Sequence, residues 1–223
     1  MRLSGDTSAF TQPGQFLNIT LPGYYLRRPF SICDWRMGEA DIIYKVLGEG
    51  TKDMTAFEAG MELDTLTGLG NGFDTSTSGE SPLLIGGGVG VPPLLALCKE
   101  LRAQGRQVKV ALGFGSADEV FLADAFQALG AEVAVATMDG TAGIKGLVTD
   151  ACDFKNCSQF YACGPTAMLK AICAVAPGPG QLSLEERMGC GFGACVGCTV
   201  FTTEGPLRVC KEGPVFKREV LGW

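Results

Sequence analysis

Four cysteines near the C-terminus constrain this chain more than any other feature of its sequence. They are Cys190, Cys195, Cys198 and Cys210, with the spacing C-x4-C-x2-C-x11-C. This is the spacing of plant-type [2Fe–2S] sites, in which four thiolates converge on two irons. The segment 188–198 is rich in glycine, which lets the backbone wrap closely and direct N–H groups at the sulfurs. We therefore predict that these four cysteines are the metal ligands of an iron–sulfur cluster.

A structural zinc site with four cysteine ligands is the alternative for the same residues. Zinc sites usually pair two C-x2–4-C knuckles, whereas this chain has one C-x2-C and a fourth cysteine that stands alone. The chain has no histidine, which excludes His-based acid–base catalysis, a Ser-His-Asp triad and every metal site with a His ligand. The other six cysteines are expected to be small buried side chains: Cys33, Cys98, Cys152, Cys157, Cys163 and Cys173.

Composition narrows the classes of function further. The net charge is −6 and no run of Lys or Arg occurs, which disfavours nucleic-acid binding. The N-terminus lacks the apolar segment of a signal peptide, and glycines and prolines interrupt the most apolar stretch, 82–98. Neither export nor a membrane span is therefore predicted, and a cytoplasmic location is expected. Ten cysteines in such a chain favour metal or redox use over disulfides.

The first region, residues 1–78, has short alternating runs separated by glycine and proline. The runs are clearest at Gln15–Leu21 and Asp41–Leu47, and weaker at Met61–Leu66. Short strands with turn signals predict an antiparallel β barrel. The polar stretch Asp74–Ser81 is interpreted as a linker.

The second region, residues 79–178, alternates strands and helices, which predicts an α/β domain with a parallel sheet. Its predicted strands are 82–86, 107–114, 132–137 and 159–163, and its predicted helices are 92–103, 118–129 and 165–175. The third region, 179–223, follows the sequence Pro177-Gly178-Pro179-Gly180. It is expected to be a small cluster domain in which Cys210 returns from a hairpin made of Thr199–Thr203 and Leu207–Val209.

Two motifs in the first region indicate a flavin. Arg28, Pro29, Phe30 and Ser31 enter a strand after a Gly/Pro-rich turn. There an Arg can contact a pyrophosphate and a Ser can meet the edge of a flavin. The second motif runs from Ile43 to Thr51, where glycines open a turn into a helix that begins near Thr51, and N–H groups at a helix start bind phosphate. The alternative is a simple turn with Thr51 as N-cap.

Two motifs in the second region indicate a nicotinamide cofactor. A strand leads into Gly86, Gly87, Gly88 and Gly90 and then into a helix, which is the place for a dinucleotide pyrophosphate. The alternative is a tight turn with no ligand. Cys163, Gly164 and Pro165 end a later strand at the same sheet edge, which would put Cys163 near the nicotinamide. The segment 113–119 has acidic residues and no Arg, which favours NAD over NADP.

Taken in order, these motifs resemble the ferredoxin–NAD(P) reductase superfamily, and within it the electron-transfer subunits of class 1B dihydroorotate dehydrogenases. The resemblance covers nearly the whole chain, and the segment Glu186–Cys195, with Cys210–Phe216, is its most specific part. Two further stretches, 70–73 and 138–141, also look like that family. Members usually carry a further strand before the position of Met1, which here stands inside a predicted barrel strand.

The resemblance implies FAD, a [2Fe–2S] cluster and NAD as cofactors. It places FAD at Arg28, Pro29, Phe30, Ser31, Ile43, Tyr44, Lys45, Gly50 and Thr51. It also implies an FMN-containing catalytic subunit that oxidises dihydroorotate, in a heterotetramer with two copies of each subunit. Electrons would pass from FMN to the cluster, then to FAD and NAD+. Two alternatives stay open: an NAD(P)H–ferredoxin or sulfide dehydrogenase reductase subunit, and a non-catalytic interaction module stabilised by zinc.

Overall fold

The computed structural model describes residues 1–223. Two three-stranded antiparallel sheets form its N-terminal part, as the alternating runs predict. The strands are β1 Arg2–Ser4, β2 Phe16–Ile19, β3 Arg28–Ser31, β4 Asp34–Arg36, β5 Glu39–Asp41 and β6 Thr65–Leu69. One sheet has the order β1-β5-β4 and the other has the order β3-β2-β6. The short helix α1, Glu49–Asp53, lies between β5 and β6.

A small apolar core joins these two sheets. Leu17 and Ile19 on β2 are buried in it together with Ile32 and Ile42. The chain crosses from one sheet to the other at Ile32, whose N–H bonds to Gln15 O at 3.1 Å, before Cys33 bonds to Asp41 O at 2.9 Å. The barrel predicted from the sequence is thus built as two sheets around one core.

The strand predicted over Asp41–Leu47 is wrong beyond its first residue. β5 ends at Asp41. The next residue, Ile42, donates to Met1 O at 3.0 Å, just before the first residue of its partner strand β1. The residues that follow leave the sheet and line a cleft. Their apolar side chains therefore face that cleft and do not form one face of a strand. The alternative in which Thr51 is the N-cap of a helix does not match the structure. Gly48 is the N-cap, and the Thr51 hydroxyl accepts from Leu47 N at 2.9 Å.

A seven-stranded sheet forms the second part. Its strands are β7 Leu83–Gly87, β8 Lys109–Phe114, β9 Glu132–Thr137, β10 Ile144–Lys145, β11 Phe160–Cys163, β12 Gly180–Ser183 and β15 Val215–Lys217. The order is β10-β9-β8-β7-β11-β12-β15, parallel except for β15. Alternate residues of β7 enter opposite cores, Leu83 and Ile85 on one face and Leu84 on the other. Burial on both faces is what a parallel sheet between helices requires.

The helices cover both faces of this sheet. They are α2 Pro93–Ala103, α3 Ala123–Ala128 and α4 Thr166–Val175. α2 packs on one face through Leu94, Leu97 and Leu101, and α4 packs on the other through Leu169 and Ile172. The helix predicted over 118–129 is shorter than expected because Leu122 adopts a left-handed conformation, with φ of 62°, immediately before α3. A separate 3-10 turn occupies Ala117–Glu119.

The C-terminal part packs against the sheet. Its hairpin is β13 Thr199–Thr202 and β14 Gly205–Arg208, and helix α5, Arg218–Leu221, ends the chain. The boundary predicted at residues 178–179 falls just before β12, which pairs with β11 in the central sheet, so the division into three regions stays a prediction. Cys198 and Cys210 join the same apolar core as α4. No helix of the chain has the length and apolar character needed to cross a membrane.

Candidate cofactor site

A cleft of about 290 Å³ lies where the three parts of the chain meet. From the first part it is lined by nearly all the residues predicted to contact a flavin: Arg28, Pro29, Phe30, Ser31, Ile43, Tyr44, Lys45 and Thr51. The loop after β7 contributes Val89 and Pro92, and the segment before the cysteines contributes Leu184 and Met188. A group held here therefore touches all three parts of the chain.

Arg28 is held in place on the barrel side of this cleft. Its guanidinium lies 4.9 Å from the centroid of the Tyr24 ring, and its Nη1 donates to Leu26 O at 2.6 Å. Gly50, a predicted flavin contact, does not line the cleft. It is buried behind Arg28, and a Cβ at Gly50 would stand 3.1 Å from Arg28 Nε. The glycine thus makes room for the guanidinium, which is suited to bind a phosphate.

Aromatic and acidic groups complete the cleft. Phe30 and Tyr44 lie with ring centroids 5.6 Å apart, an apolar wall for a planar ring system. Glu185 also lines the cleft, and desolvation there raises the pKa of its carboxyl above the ordinary value. Sequence reasoning missed Glu185, although its place just before the cysteine segment was a signal. A phosphate-binding Arg, an aromatic wall and a hydrogen-bonding carboxyl fit a dinucleotide flavin.

A second cleft, of about 330 Å³, lies at the carboxyl ends of the parallel strands. Three of the residues predicted to bind a nicotinamide cofactor line it: Gly87, Gly88 and Pro165. The remaining predicted residues do not line it: Gly86, Gly90, Cys163 and Gly164. A Cβ at Gly90 would stand 2.3 Å from Cys163 O, so this glycine allows the loop to lie directly on the end of β11. The two predicted motifs do meet, by backbone contact.

Cys163 is buried at 2% exposure at the end of β11. Burial raises the pKa of its thiol to about 12, with a smaller effect from the Glu185 carboxyl. The thiol is therefore neutral at physiological pH and is not a nucleophile. The observed contact of Cys163 is between its backbone and Gly90 of the glycine loop. The approach of its side chain to a nicotinamide ring stays a prediction.

Glu119 brings negative charge to the second cleft. Its carboxylate accepts from Gly115 N–H at 2.8 Å, and this bond, followed by the charge of Lys45, lowers its pKa. The cleft wall beside it is apolar, with Met138, Leu147 and Met168. An ionised carboxylate one turn beyond the second parallel strand is suited to a ribose hydroxyl and opposes a 2′-phosphate.

The cysteine loop directs backbone N–H groups at sulfur, as its glycines led us to expect. Ala194 N and Cys195 N donate to Cys190 Sγ at 3.2 Å and 3.4 Å. Desolvation opposes ionisation of Cys190, but the N–H groups of Cys195, Phe192 and Ala194 outweigh it and lower the pKa of its thiol to about 6. A thiol with this pKa is largely thiolate at neutral pH, the form that binds metal.

The four cysteines lie in two pairs. Cys190 and Cys195 exchange N–H···S contacts, and Cys210 N donates to Cys198 Sγ at 3.4 Å. Burial raises the pKa of Cys210 to about 12, and the neighbouring Cys198 adds to the shift. No three Cys, Asp or Glu side chains gather around a single ion position. Two pairs of thiols suit a centre whose ligands are divided between two irons.

Comparison with known proteins agrees with this geometry. A protein-family model described as the iron-sulfur cluster binding domain of dihydroorotate dehydrogenase B matches residues 185–222. The dihydroorotate dehydrogenase B (NAD(+)) electron transfer subunit of Bacillus pumilus is 46% identical, over 98% of this chain and 90% of its own length. The subunit of the same name from Fusobacterium nucleatum is 42% identical, over 92% of this chain and 84% of its own.

Solved structures agree on the fold. The structure of an NADH-dependent reduced ferredoxin-NADP oxidoreductase matches with a TM-score of 0.87 and 29% identity, over 100% of this chain and 88% of that chain. The cytochrome b5 reductase domain of Ulva prolifera nitrate reductase matches with a TM-score of 0.62, over 76% of this chain and 82% of that one, and at 15% identity it supports the fold alone. On the identities and coverage of the two bacterial subunits, the chain belongs to the family of dihydroorotate dehydrogenase B electron transfer subunits.

Proposed function

We propose that this chain carries electrons between an FMN-containing subunit that oxidises dihydroorotate and NAD+, by way of a [2Fe–2S] cluster and FAD. One observation carries the proposal. The cleft lined by Arg28 and Ser31 also touches Val89 of the glycine loop and Met188, which leads into the cysteines. A flavin there is next to both the nicotinamide site and the cluster loop. Family membership supports the NAD-dependent reaction and its place in pyrimidine biosynthesis.

The chemistry divides among the cofactors by electron count. When bound, NAD exchanges two electrons as hydride, the cluster exchanges one, and FAD supplies both kinds of step. The residues of the chain hold these groups in place. Arg28, fixed by Tyr24, binds phosphate, and Gly87 and Gly88 let the backbone approach the dinucleotide. Glu185 places a carboxyl group at the flavin cleft, where desolvation raises its pKa.

The cluster loop forms the docking surface for the partner in this proposal. Cys195 is exposed, and two apolar side chains near it in the loop are also exposed, Phe192 at 55% and Val196 at 60%. Phe201, which sequence reasoning did not single out, is 87% exposed on the hairpin that leads from Cys198. Exposed aromatic residues of this kind are typical interface anchors. The assembly we propose contains two copies of each subunit.

Substitution of these anchors tests the docking surface. Phe192→Ala and Val196→Ala together should slow electron transfer from the partner by about tenfold, which corresponds to a loss of about 1.4 kcal/mol of binding. NADH-dependent dye reduction should stay at the wild-type rate, since neither side chain lines the NAD or flavin cleft. Equal loss of both activities would contradict the assignment of this surface. Met37→Ala, on an exposed turn of the barrel, is the control.

A second candidate function is an NAD(P)H–ferredoxin or sulfide dehydrogenase type of reductase subunit. The 0.87 TM-score to the NADH-dependent ferredoxin-NADP oxidoreductase favours it. The deciding experiment mixes the chain with its FMN partner and supplies dihydroorotate and NAD+. The proposal expects orotate and NADH in equal amounts, and no NADH without either subunit. Reduction of ferredoxin with no dihydroorotate-dependent activity would favour the second candidate, and a colourless zinc protein would favour an interaction module.

We also place the chain in the cytoplasm as part of this proposal. None of the ten cysteines is in a disulfide, including the six that are not proposed cluster ligands. Thiols kept in this state suit a reducing compartment.

A further inference from the structure

Asn18 lies between the flavin cleft and the cysteine loop. It is on β2, two residues after Phe16, so both side chains leave the same face of the strand. Across the sheet Asn18 is opposite Pro29, and both Phe16 and Pro29 line the flavin cleft. Asn18 is 1% exposed, which is rare for an amide side chain unless it has a partner.

The partner is the first cluster cysteine. Asn18 Nδ2 donates to Cys190 O at 3.3 Å, a contact between the first part of the chain and the third. The next residue, Gly191, has φ of +78°, and a Cβ there would stand 1.8 Å from Asn18 Nδ2. Only glycine lets the loop come this close to the strand. The other amide atom, Asn18 Oδ1, is buried with no hydrogen-bond partner.

A second asparagine makes the matching contact at the fourth cysteine. Asn71 Nδ2 donates to Lys211 O at 3.0 Å and to Glu212 O at 3.1 Å, directly after Cys210. Asn71 follows β6, the strand that pairs with β2. The sheet β3-β2-β6 therefore makes hydrogen bonds near both the first and the last of the four cysteines. Of the two contacts, the one from Asn18 is the buried one and lies beside the flavin cleft.

We propose that Asn18 is a positioning residue that fixes the cluster loop against the flavin-binding strand and so sets the rate of electron passage between the two centres. The inference rests on the proposed function. One electron crosses at a time, and two crossings balance the two electrons of one hydride. Because such transfer falls steeply with separation, a loop freed from β2 should pass electrons more slowly, even when it still holds its irons.

Two variants disrupt the contact between Asn18 and the Cys190–Gly191 backbone, one on each side of it. Asn18→Leu keeps the side-chain size and removes the donor, while Gly191→Ala pushes the loop away from Asn18. Asn156→Leu, on an exposed turn far along the chain, is the matched control. Each variant is assayed for iron and flavin content, for amide hydrogen exchange over residues 189–195, and by anaerobic stopped flow with NADH. The absorbance changes separate flavin reduction from cluster reduction.

We expect flavin reduction at the wild-type rate in both variants, with cluster reduction slowed about tenfold or more. Exchange over 189–195 should rise in both variants, and the control should match wild type. Because both changes remove one contact, the double variant should be no slower than the slower single variant.

Iron-replete Asn18→Leu with wild-type cluster reduction would overturn the inference, as would equal slowing of both phases. If Asn18→Leu loses its iron, Asn18→Asp keeps the shape without the donor and is subject to the same two outcomes. Failure of wild-type protein to reduce its cluster with NADH would instead count against the proposed function.

Discussion

Replacement of Gly90 by alanine tests whether the glycine loop and the end of β11 must touch. The Cβ of alanine would stand 2.3 Å from Cys163 O and 2.5 Å from Gly164 N. Ordinary carbon contacts lie at about 3.5 Å, so the loop and the strand end must separate by roughly 1 Å. Both obstructing groups are backbone atoms in a parallel sheet, where no side chain can rotate away.

The structure sets the size of the effect. Overpacking of a tight site costs about 1–3 kcal/mol, which for a domain of this size lowers the melting temperature by a few degrees. Displacement of a substrate-binding loop by about 1 Å can lower turnover about a hundredfold. We therefore expect kcat/KM for NADH to fall between tenfold and about a hundredfold. Flavin should still bind, because Arg28 and Tyr44 on the barrel side of the flavin cleft are untouched, although Val89 and Pro92 of the displaced loop also line that cleft.

NADH-dependent ferricyanide reduction measures this effect, with flavin content and thermal denaturation measured on the same preparation. Gly178→Ala is the matched control, because a Cβ there meets nothing within 4 Å and its φ is not positive. Wild-type NADH kinetics in Gly90→Ala, with flavin bound, would refute the reasoning that the loop must lie directly on β11.

Three further predictions follow from single contacts. Cys198→Ser, at a site 2% exposed, should abolish iron binding while NADH-dependent dye reduction persists; retained iron would contradict the ligand assignment. Glu119→Gln should lower the preference for NADH over NADPH, measured as the ratio of kcat/KM values, about tenfold, and an unchanged ratio would contradict it. The Arg208 guanidinium lowers the pKa of Glu212 from 4.5 to about 2, so the stability of this pair is complete above pH 4.5 and is lost as pH falls through 2. Glu212→Gln should therefore melt below wild type at pH 6, with the gap closing between pH 4.5 and 2, and a gap independent of pH would contradict this.

The strands of the parallel sheet could be predicted because each is buried on both faces. Leu83, Leu84 and Ile85 form a continuous apolar run between glycine and proline signals, and β7 occupies that run. The run Ile43–Leu47 has a similar apolar character but lines a cleft, since a sequence does not say which partner an apolar side chain meets. Leu122 interrupts the helix predicted over 118–129 by its left-handed conformation just before α3, which no propensity of leucine indicates.

The site was predictable where its residues are near in sequence. The motif Arg28–Ser31 and the four-cysteine spacing each carry their chemistry within a short segment. Glu185 and Asn18 carry no such signal on their own. Glu185 becomes a cleft residue only through the fold, and Asn18 becomes a loop contact only by packing against Cys190, 172 residues away. Contacts of such long range are set by tertiary structure, and one sequence holds no local signal of them.

The central claim is that the chain carries a [2Fe–2S] cluster and FAD. It is tested most directly by the metal content, flavin content and redox behaviour of the anaerobically purified chain. We expect about two irons and one FAD per chain with no zinc, a reddish-brown colour, and a paramagnetic reduced-cluster signal after addition of NADH. A colourless protein that holds zinc in place of iron, takes up no flavin and gives no signal with NADH would contradict it.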